Sequence, residues 1–165
     1  MGGRLILASK SPRRYELLKQ LGLDFEVVPN RVMEDFVKNE SPSGHVLRLA
    51  EAKARDVASG YPDCWVIGAD TIVYVNGSIL GKPKGREEAM EMLYSLSGQE
   101  HTVLTGFFLC HLKKRKNGKE AVQTAVKMKT LTPVEMEWYV QTGEPFDKAG
   151  GYAIQGIGSF MIESI

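Results

Sequence analysis

Short apolar runs and amphipathic stretches alternate along the first half of the chain. Near the N-terminus the run "RLILAS" predicts a buried strand, because it is short, apolar and followed by turn-forming residues. The segment "SPRRYELLKQLG" that follows predicts a helix with Ser11 as its N-cap and Gly22 as its stop signal. Leu17, Leu18 and Leu21 are expected to form the apolar face of that helix.

The middle of the chain continues this alternation. The segment "GHVLRLAEAKARDVASG" predicts a helix, and Lys53 falls on its apolar stripe. A strand "CWVIGAD" follows, and Asp70 is expected just past its apolar run. The pair Asn76-Gly77 between two β-rich runs then predicts a hairpin.

The second half favours longer antiparallel strands. The runs "HTVLTGFFLCHL" and "AVQTAVKMKTL" predict two strands, joined by a charged turn that contains Asn117-Gly118. A helix is expected to begin near Thr132, and "FMIESI" predicts a last strand. Together the elements predict an α/β fold, a mixed twisted sheet with flanking helices, in a single domain over residues 1–165.

Composition and charge narrow the function classes. The 165 residues are 43% hydrophobic and 25% charged, which is the usual balance of a globular protein. A net charge of +1 argues against an extended nucleic-acid-binding surface, although a few local cations would suffice for a small anion. The two cysteines are expected to be buried free thiols. No signal peptide and no membrane-spanning run is recognised, so we expect a cytoplasmic protein with no membrane partner.

The first candidate site is the junction "SKSPRR" between the first strand and the first helix. A helix N-terminus presents backbone N–H groups and a positive dipole end, and Arg13 and Arg14 add guanidinium groups suited to phosphate. Ser9 adds a hydroxyl donor. The alternative is that Ser11 caps the helix and both arginines are solvated.

Carboxylates and a lysine form the second set of candidates. Asp70 follows a strand, where α/β proteins place functional groups, or it is a turn aspartate with a local hydrogen bond. Glu34 and Asp35 lie in a polar loop and could join Asp70 around a divalent cation, or they are a solvated acidic loop. Lys53 either faces a cleft or extends along the core towards water.

Two glycine-rich stretches resemble nucleotide-binding motifs but do not match the residue patterns that define them. "GSILGKP" lacks the spacing and the hydroxyl of a P-loop, so Lys82 is at most a point charge for phosphate, or an exposed hairpin lysine. "DKAGGYAIQGIGS" lacks the dinucleotide-binding spacing. Gln155 within it could offer its amide to a base edge, or it bonds the backbone locally.

These cations, donors and carboxylates are the parts needed to hold a metal-bridged polyphosphate. The segments that contain them also resemble one family. "LASKSPRRYELLKQLG", "EAKA", "GADTIV", "GKP", "LSGQEHTVLTG" and "TGEPFDKAGGYAIQGIG" occur in the order typical of the Maf proteins, nucleoside triphosphate pyrophosphatases also described as septum-formation inhibitors.

The resemblance implies a fold similar to that of inosine triphosphate pyrophosphatases, with a deep cleft. It implies hydrolysis between the α- and β-phosphates with Mg²⁺ or Mn²⁺ as cofactor. Asp70 matches the family's proton acceptor, and Glu34 matches a loop carboxylate near the metal. The phosphate-binding positions of the family are matched by Ser9, Arg13, Arg14, Lys53 and Lys82.

Substrate selectivity within the family is linked to the positions of Arg13, Thr71 and Gln155. Gln155 resembles the branch selective for dTTP and UTP, because the branch selective for 7-methyl-GTP tends to have an acidic residue there. Family members usually continue beyond the point where this chain stops, so the domain is expected to be short at its C-terminus. Dimers are common in the family, and a homodimer is therefore an expectation.

The main rival interpretation is a nucleotide- or DNA-binding regulator of cell division that does not turn over its ligand. The near-zero net charge counts against extended DNA binding. A kinase-like phosphoryl transferase is disfavoured because the P-loop test fails.

Overall fold

The computed structural model describes residues 3–165. Its four helices are α1 Pro12–Gln20, α2 Pro42–Ala58, α3 Arg86–Leu96 and α4 Pro133–Gln141. Its strands are β1 Leu5–Leu7, β2 Glu26–Val27, β3 Trp65–Val75, β4 Ser78–Leu80, β5 Glu100–His111, β6 Lys116–Met128 and β7 Ile162–Ser164. Short 3₁₀ helices cover Glu144–Asp147, Ala149–Gly151 and Ile157–Met161.

The seven strands form a mixed sheet, as the sequence predicts. The strand order is β2-β1-β3-β5-β6-β7, and β4 pairs with β3 outside this path. β1 runs parallel to both β2 and β3, whereas β4 is antiparallel to β3 and β7 is antiparallel to β6. None of the helices within residues 3–165 is long and apolar enough to cross a membrane.

The chain divides into two compact units. The first consists of the residues up to Asp70 together with Thr105–Val122, and the second of Thr71–Leu104 together with Gln123–Ile165. The boundaries fall inside β3, β5 and β6. The predicted single domain over residues 1–165 stays a prediction.

The first unit has its own apolar core. In this core α2 packs closely on β3 and β5, with backbone against backbone. Ile6, Ala50 and Phe108 are among its fully buried members. A Cβ atom at Gly68 would lie 2.4 Å from the carbonyl oxygen of Ala50 and 2.6 Å from the nitrogen of Ala54. Only glycine therefore lets α2 approach β3 this closely. Gly106 in β5 does the same, because its Cβ atom would meet the backbone of Val46 and Leu47 at 2.6–2.9 Å.

The second unit has a separate core around α3 and α4. Leu93, Met136 and Tyr139 are among its fully buried members. α4 begins with a capping box, in which the Thr132 hydroxyl accepts from the Glu135 N–H and the Glu135 carboxylate accepts from the Thr132 N–H.

The structure confirms the predicted hairpin and the prediction that both cysteines are buried free thiols. β3 and β4 pair around Asn76 and Gly77, whose φ values of 48° and 81° suit a tight hairpin turn. Both cysteines, Cys64 and Cys110, are buried and free.

Two local predictions are wrong, and one apolar face is exposed. Asp70 lies inside β3 rather than past its end, because "CWVIGAD" and "TIVYV" form one continuous strand. No residue of α1 is buried, so the face expected to carry the leucines is not covered: Leu17 and the C-cap residue Leu21 are more than half exposed. The turn between β5 and β6 covers residues 112–115, with Arg115 at φ 52°, and Asn117-Gly118 lies within β6.

Candidate active site

One lysine of the first unit bonds two carboxylates. The Nζ atom of Lys53 lies 2.6 Å from Oδ1 of Asp70 and 2.6 Å from Oε1 of Glu34. Lys53 and Asp70 are both buried, whereas the Glu34 side chain is 44% exposed. An ammonium group and a carboxylate that are both removed from water require each other, because either alone would be an uncompensated buried charge.

The local sequence explains how Lys53 reaches Asp70. α2 is 17 residues long, and Ser41 caps its N-terminus by accepting from the N–H of Gly44. Lys53 lies on the buried face of this helix, as predicted from the apolar stripe. Gly68, two residues before Asp70, permits the backbone of α2 to touch β3. A glycine inside an apolar strand pattern is a known signal of such a close approach. The sequence therefore does contain a signal for the contact between α2 and β3.

The junction between β1 and α1 adds an arginine to the same unit. Nη1 of Arg14 donates to the carbonyl oxygen of Ala69 at 2.8 Å and lies 3.5 Å from the Oγ atom of Ser9. Burial lowers the pKa of the Arg14 guanidinium, while the charges of Asp70 and Glu34 act to raise it. Arg14 is therefore electrostatically coupled to both carboxylates that bond Lys53.

Ser9 and Arg13 differ from Arg14 in their surroundings. Ser9 is buried, and its Oγ atom accepts from the N–H of Ser11 at 3.1 Å, so part of its role is to shape the junction. Ser11 is the N-cap of α1 by position, but its side chain makes no capping hydrogen bond. Arg13, one residue after Pro12 in the first turn, is exposed.

The loop that carries Glu34 is anchored by contacts that the sequence does not predict. At its start Asn30 donates to the carbonyl oxygen of Ala8 at 2.8 Å. At its end Arg48 of α2 donates to the carbonyl oxygen of Asp35 at 2.9 Å and forms two hydrogen bonds to the Glu40 carboxylate. The hydrogen bond from Arg48 holds the pKa of Glu40 below its ordinary value. No periodic pattern in the sequence signals these anchors.

Further contacts reinforce the same anchor. The Nδ1 atom of the buried His45 lies 3.0 Å from Oε2 of Glu40. The ring of Phe36, in the same loop as Glu34, stacks on the His45 ring with centroids 4.9 Å apart. Asp35 takes part through its backbone and its side chain is exposed, so of the two acidic loop residues the structure brings only Glu34 to Lys53.

The remaining predicted residues belong to the second unit. Thr71 follows Asp70 in β3 and is half-buried. Lys82 is exposed in the segment between β4 and α3. Gln155 is exposed between two of the 3₁₀ helices. Their roles in binding stay predictions.

Asp70 and Glu34 are the candidate ligands for a divalent cation. Among residues 3–165 no group of three or more His, Cys, Asp or Glu side chains is placed to hold a metal. Asp70 and Glu34 nevertheless face one point, since both bond the same ammonium group. Mg²⁺ is typically bound through one or two carboxylates, substrate phosphates and water, so two carboxylates are sufficient protein ligands.

Comparisons with known proteins give the family of the chain. The profile of the Maf-like protein family matches residues 4–165. A protein of Syntrophus aciditrophicus (strain SB) named "dTTP/UTP pyrophosphatase" is 50% identical over 98% of this chain and 79% of its own length. A protein of the same name from Moorella thermoacetica is 47% identical over 98% of this chain and 84% of its own length.

Solved structures with a similar fold include two Ham1 proteins. The Ham1 protein of Staphylococcus aureus superposes with a TM-score of 0.51 at 16% identity, covering 76% of this chain and 71% of that one. A HAM1 protein from Coxiella burnetii superposes with a TM-score of 0.50 at 12% identity, covering 76% and 72%. At such identities these likenesses describe the fold alone. The match over nearly all of its sequence shows that this chain belongs to the Maf-like protein family.

Proposed function

We propose that this protein is a nucleoside triphosphate pyrophosphatase that hydrolyses dTTP and UTP to the monophosphate and pyrophosphate. Several relatives that are 46–50% identical over nearly the whole chain are named for this activity. The observation that carries the proposal is the pairing of Lys53 with both Asp70 and Glu34 beside Arg14. Carboxylates and fixed cations in one place can hold a triphosphate and activate water.

In this proposal Asp70 accepts the proton of the attacking water. Its Oδ1 atom bonds Lys53, and Oδ2 is the atom proposed to take the proton. Lys53 fixes the orientation of the carboxylate, so that the base and the attacked phosphorus have a defined geometry. Negative charge that develops on the phosphates is balanced by positively charged residues, namely Arg13, Arg14, Lys53 and Lys82.

We further propose that a divalent cation, Mg²⁺ or Mn²⁺, is held by Asp70 and Glu34 together with the substrate phosphates. When bound, it would neutralise phosphate charge and lower the pKa of the attacking water. Ser9 is proposed to donate to a phosphate oxygen, and Thr71 and Gln155 are proposed to bind the nucleoside end of the substrate. We place the activity in the cytoplasm, where nucleoside triphosphates occur; a homodimer stays a prediction.

The test is pyrophosphate release from dTTP, UTP, CTP and 7-methyl-GTP, with and without Mg²⁺. The wild-type protein should favour dTTP and UTP and should require the cation. Asp70→Asn keeps the shape of the side chain but removes its basicity, and kcat should fall by about 10²–10⁴-fold, the usual contribution of a general base. Near-normal release from UTP by Asp70→Asn would show that the base is another group.

A further inference from the structure

The carboxylate of Glu144 in the second unit holds the loop on one side of Gln155. Its Oε2 atom accepts from the N–H of Gly158 at 2.8 Å, and its Oε1 atom accepts from the N–H of Ile157 at 3.1 Å. The Tyr139 hydroxyl donates to Oε2 as well, at 2.8 Å. One partly buried side chain thus satisfies two consecutive backbone donors just after Gln155.

The other side of Gln155 is tied to the same network. Tyr139 is fully buried, and its Oη atom accepts from the N–H of Ala153 at 3.3 Å while it donates to Glu144. The preceding residue, Tyr152, is held through its hydroxyl, which lies 2.6 Å from Nε2 of the buried His101. The backbone is therefore fixed both before and after the exposed Gln155.

Two glycines of this loop are explained by the same geometry. Gly156 adopts φ 103° and ψ −152°, a region that residues with a Cβ atom avoid, and a Cβ atom there would lie 2.3 Å from Oε1 of Glu144. A Cβ atom at Gly158 would lie 2.5 Å from the carbonyl oxygen of Ala153 and 2.8 Å from Oη of Tyr139. These two glycines thus allow the loop to pack closely against Glu144 and Tyr139.

The surroundings of Glu144 favour its ionised form. Burial alone would raise its pKa, but the hydrogen bonds from Tyr139, Gly158 and Ile157 outweigh burial, and the pKa is lowered. Hydrogen bonds to a charged acceptor are stronger than those to a neutral one, so the carboxylate is a firm anchor for two N–H groups.

We propose that Glu144 is a positioning residue that sets base selectivity by fixing the backbone after Gln155 directly and, through Tyr139, the backbone before it. The inference rests on the proposed function, in which the Gln155 amide reads the pyrimidine. An amide carries both a donor and an acceptor, so it can satisfy the edge of uracil or, turned over, that of cytosine. Discrimination between them depends on how firmly the chain holds the amide, and Glu144 supplies that constraint.

The experiment compares UTP with CTP in wild type, Glu144→Gln, Gln155→Ala and the double variant. Glu144→Gln keeps the length of the side chain but offers one oxygen to two backbone donors. The ratio of kcat/KM for UTP to that for CTP should fall by about tenfold in either single variant, through KM rather than kcat, because a hydrogen-bonded reader is lost or displaced. The double variant should show no further fall, since both changes act on one interaction.

Controls separate positioning from a general loss of structure. Glu91→Gln changes an exposed glutamate of α3 and should leave the ratio unchanged. Tyr139→Phe removes only the hydroxyl and should lower the ratio in the same sense, which tests the network if Glu144→Gln fails to fold. Amide hydrogen exchange at Ile157 and Gly158 should accelerate in Glu144→Gln without any ligand.

The outcomes distinguish this inference from the proposed function. Wild-type protein that releases no pyrophosphate from UTP contradicts the proposed function, and equilibrium binding of UTP and CTP to the same variants then tests the role of Glu144. An unchanged UTP:CTP ratio in Glu144→Gln, or additive losses in the double variant, would overturn the inference even in an active enzyme.

Discussion

At the scale of single residues, Lys53 is the centre of the first unit's polar site. Its side chain and that of Asp70 are 5% and 7% exposed, and its ammonium group also bonds Glu34. Breaking a buried ion pair by removing one partner usually costs about 3–5 kcal/mol, because the other charge is left in a poorly hydrated place. Lys53 is thus a structural partner of Asp70 as well as a proposed ligand for phosphate.

We therefore predict that Lys53→Met lowers the free energy of unfolding by about 3 kcal/mol, as measured by urea denaturation at pH 7. The matched control is Lys113→Met, which breaks the pair between Lys113 and Asp63, both largely exposed. That control should leave the free energy of unfolding unchanged within error, since exposed ion pairs contribute little. Equal effects of the two variants would mean that the Lys53 pair is not desolvated.

At the scale of elements, the close packing of α2 on β3 determines whether Lys53 meets Asp70. We predict that Gly68→Ala destabilises the protein by about 1–3 kcal/mol, because its Cβ atom would lie 2.4 Å from the Ala50 carbonyl oxygen and would push α2 away. kcat for pyrophosphate release should fall as well, since Lys53 would lose its position against Asp70.

Gly118→Ala is the control for that change, measured by the same urea denaturation and the same assay. Gly118 also lies in a strand, β6, but a Cβ atom there would meet nothing within 4 Å. Stability and kcat should both stay near the wild-type values in this variant. A similar loss in both glycine variants would attribute the effect to strand glycines in general rather than to the approach of α2.

The N-terminus of α4 predicts a pH dependence of stability. Glu135 has a pKa lowered to about 2 by the hydrogen bond from Lys129 and by those in the capping box with Thr132. A depressed pKa stabilises the folded state above the unfolded pKa of about 4.5, and this contribution is lost as the pH falls towards 2. In urea denaturation Glu135→Gln should be less stable than wild type at pH 7, with the difference shrinking between pH 4.5 and pH 2. If the stability difference between Glu135→Gln and wild type did not change with pH, the stabilisation would not come from the ionised Glu135 carboxylate.

The sequence predicts elements better than it predicts which surfaces they cover. Lys53 could be placed on the buried stripe of its helix because helical period and composition decide that face. The leucines of α1 show the same pattern, yet Leu17 and Leu21 are 53% and 71% exposed, since only tertiary contacts decide whether an apolar face is covered.

The same limit applies within the candidate site. The position of Asp70 inside β3 is not predicted, because an aspartate after an apolar run normally indicates the end of a strand. Glu34 could be proposed as a site residue from its acidic loop and from the family resemblance. The anchors of that loop, through Arg48 and Asn30, join residues far apart in sequence. Contacts of this kind follow no local pattern, so local sequence patterns cannot predict them.

At the scale of the whole molecule, charge is balanced rather than concentrated. The chain has 21 Lys and Arg against 20 Asp and Glu, and many of these side chains form ion pairs within one unit, such as Arg4–Glu26 and Lys119–Glu51. Such pairing leaves little excess positive charge for a polyanionic backbone. A binding surface for duplex DNA gains its affinity from counterion release, which requires unpaired Lys and Arg along an extended track.

We predict that the protein binds a duplex of about 20 base pairs with Kd weaker than about 10⁻⁴ M at about 0.15 M salt, the weak end of non-specific binding. The same preparation should release pyrophosphate from UTP, which serves as the control that the protein is folded and competent. Fluorescence anisotropy over a salt series measures the Kd for the duplex, because contacts to phosphate groups give that Kd a steep salt dependence. Binding tighter than about 10⁻⁶ M with such a dependence, in a preparation without turnover, would favour the DNA-binding regulator instead.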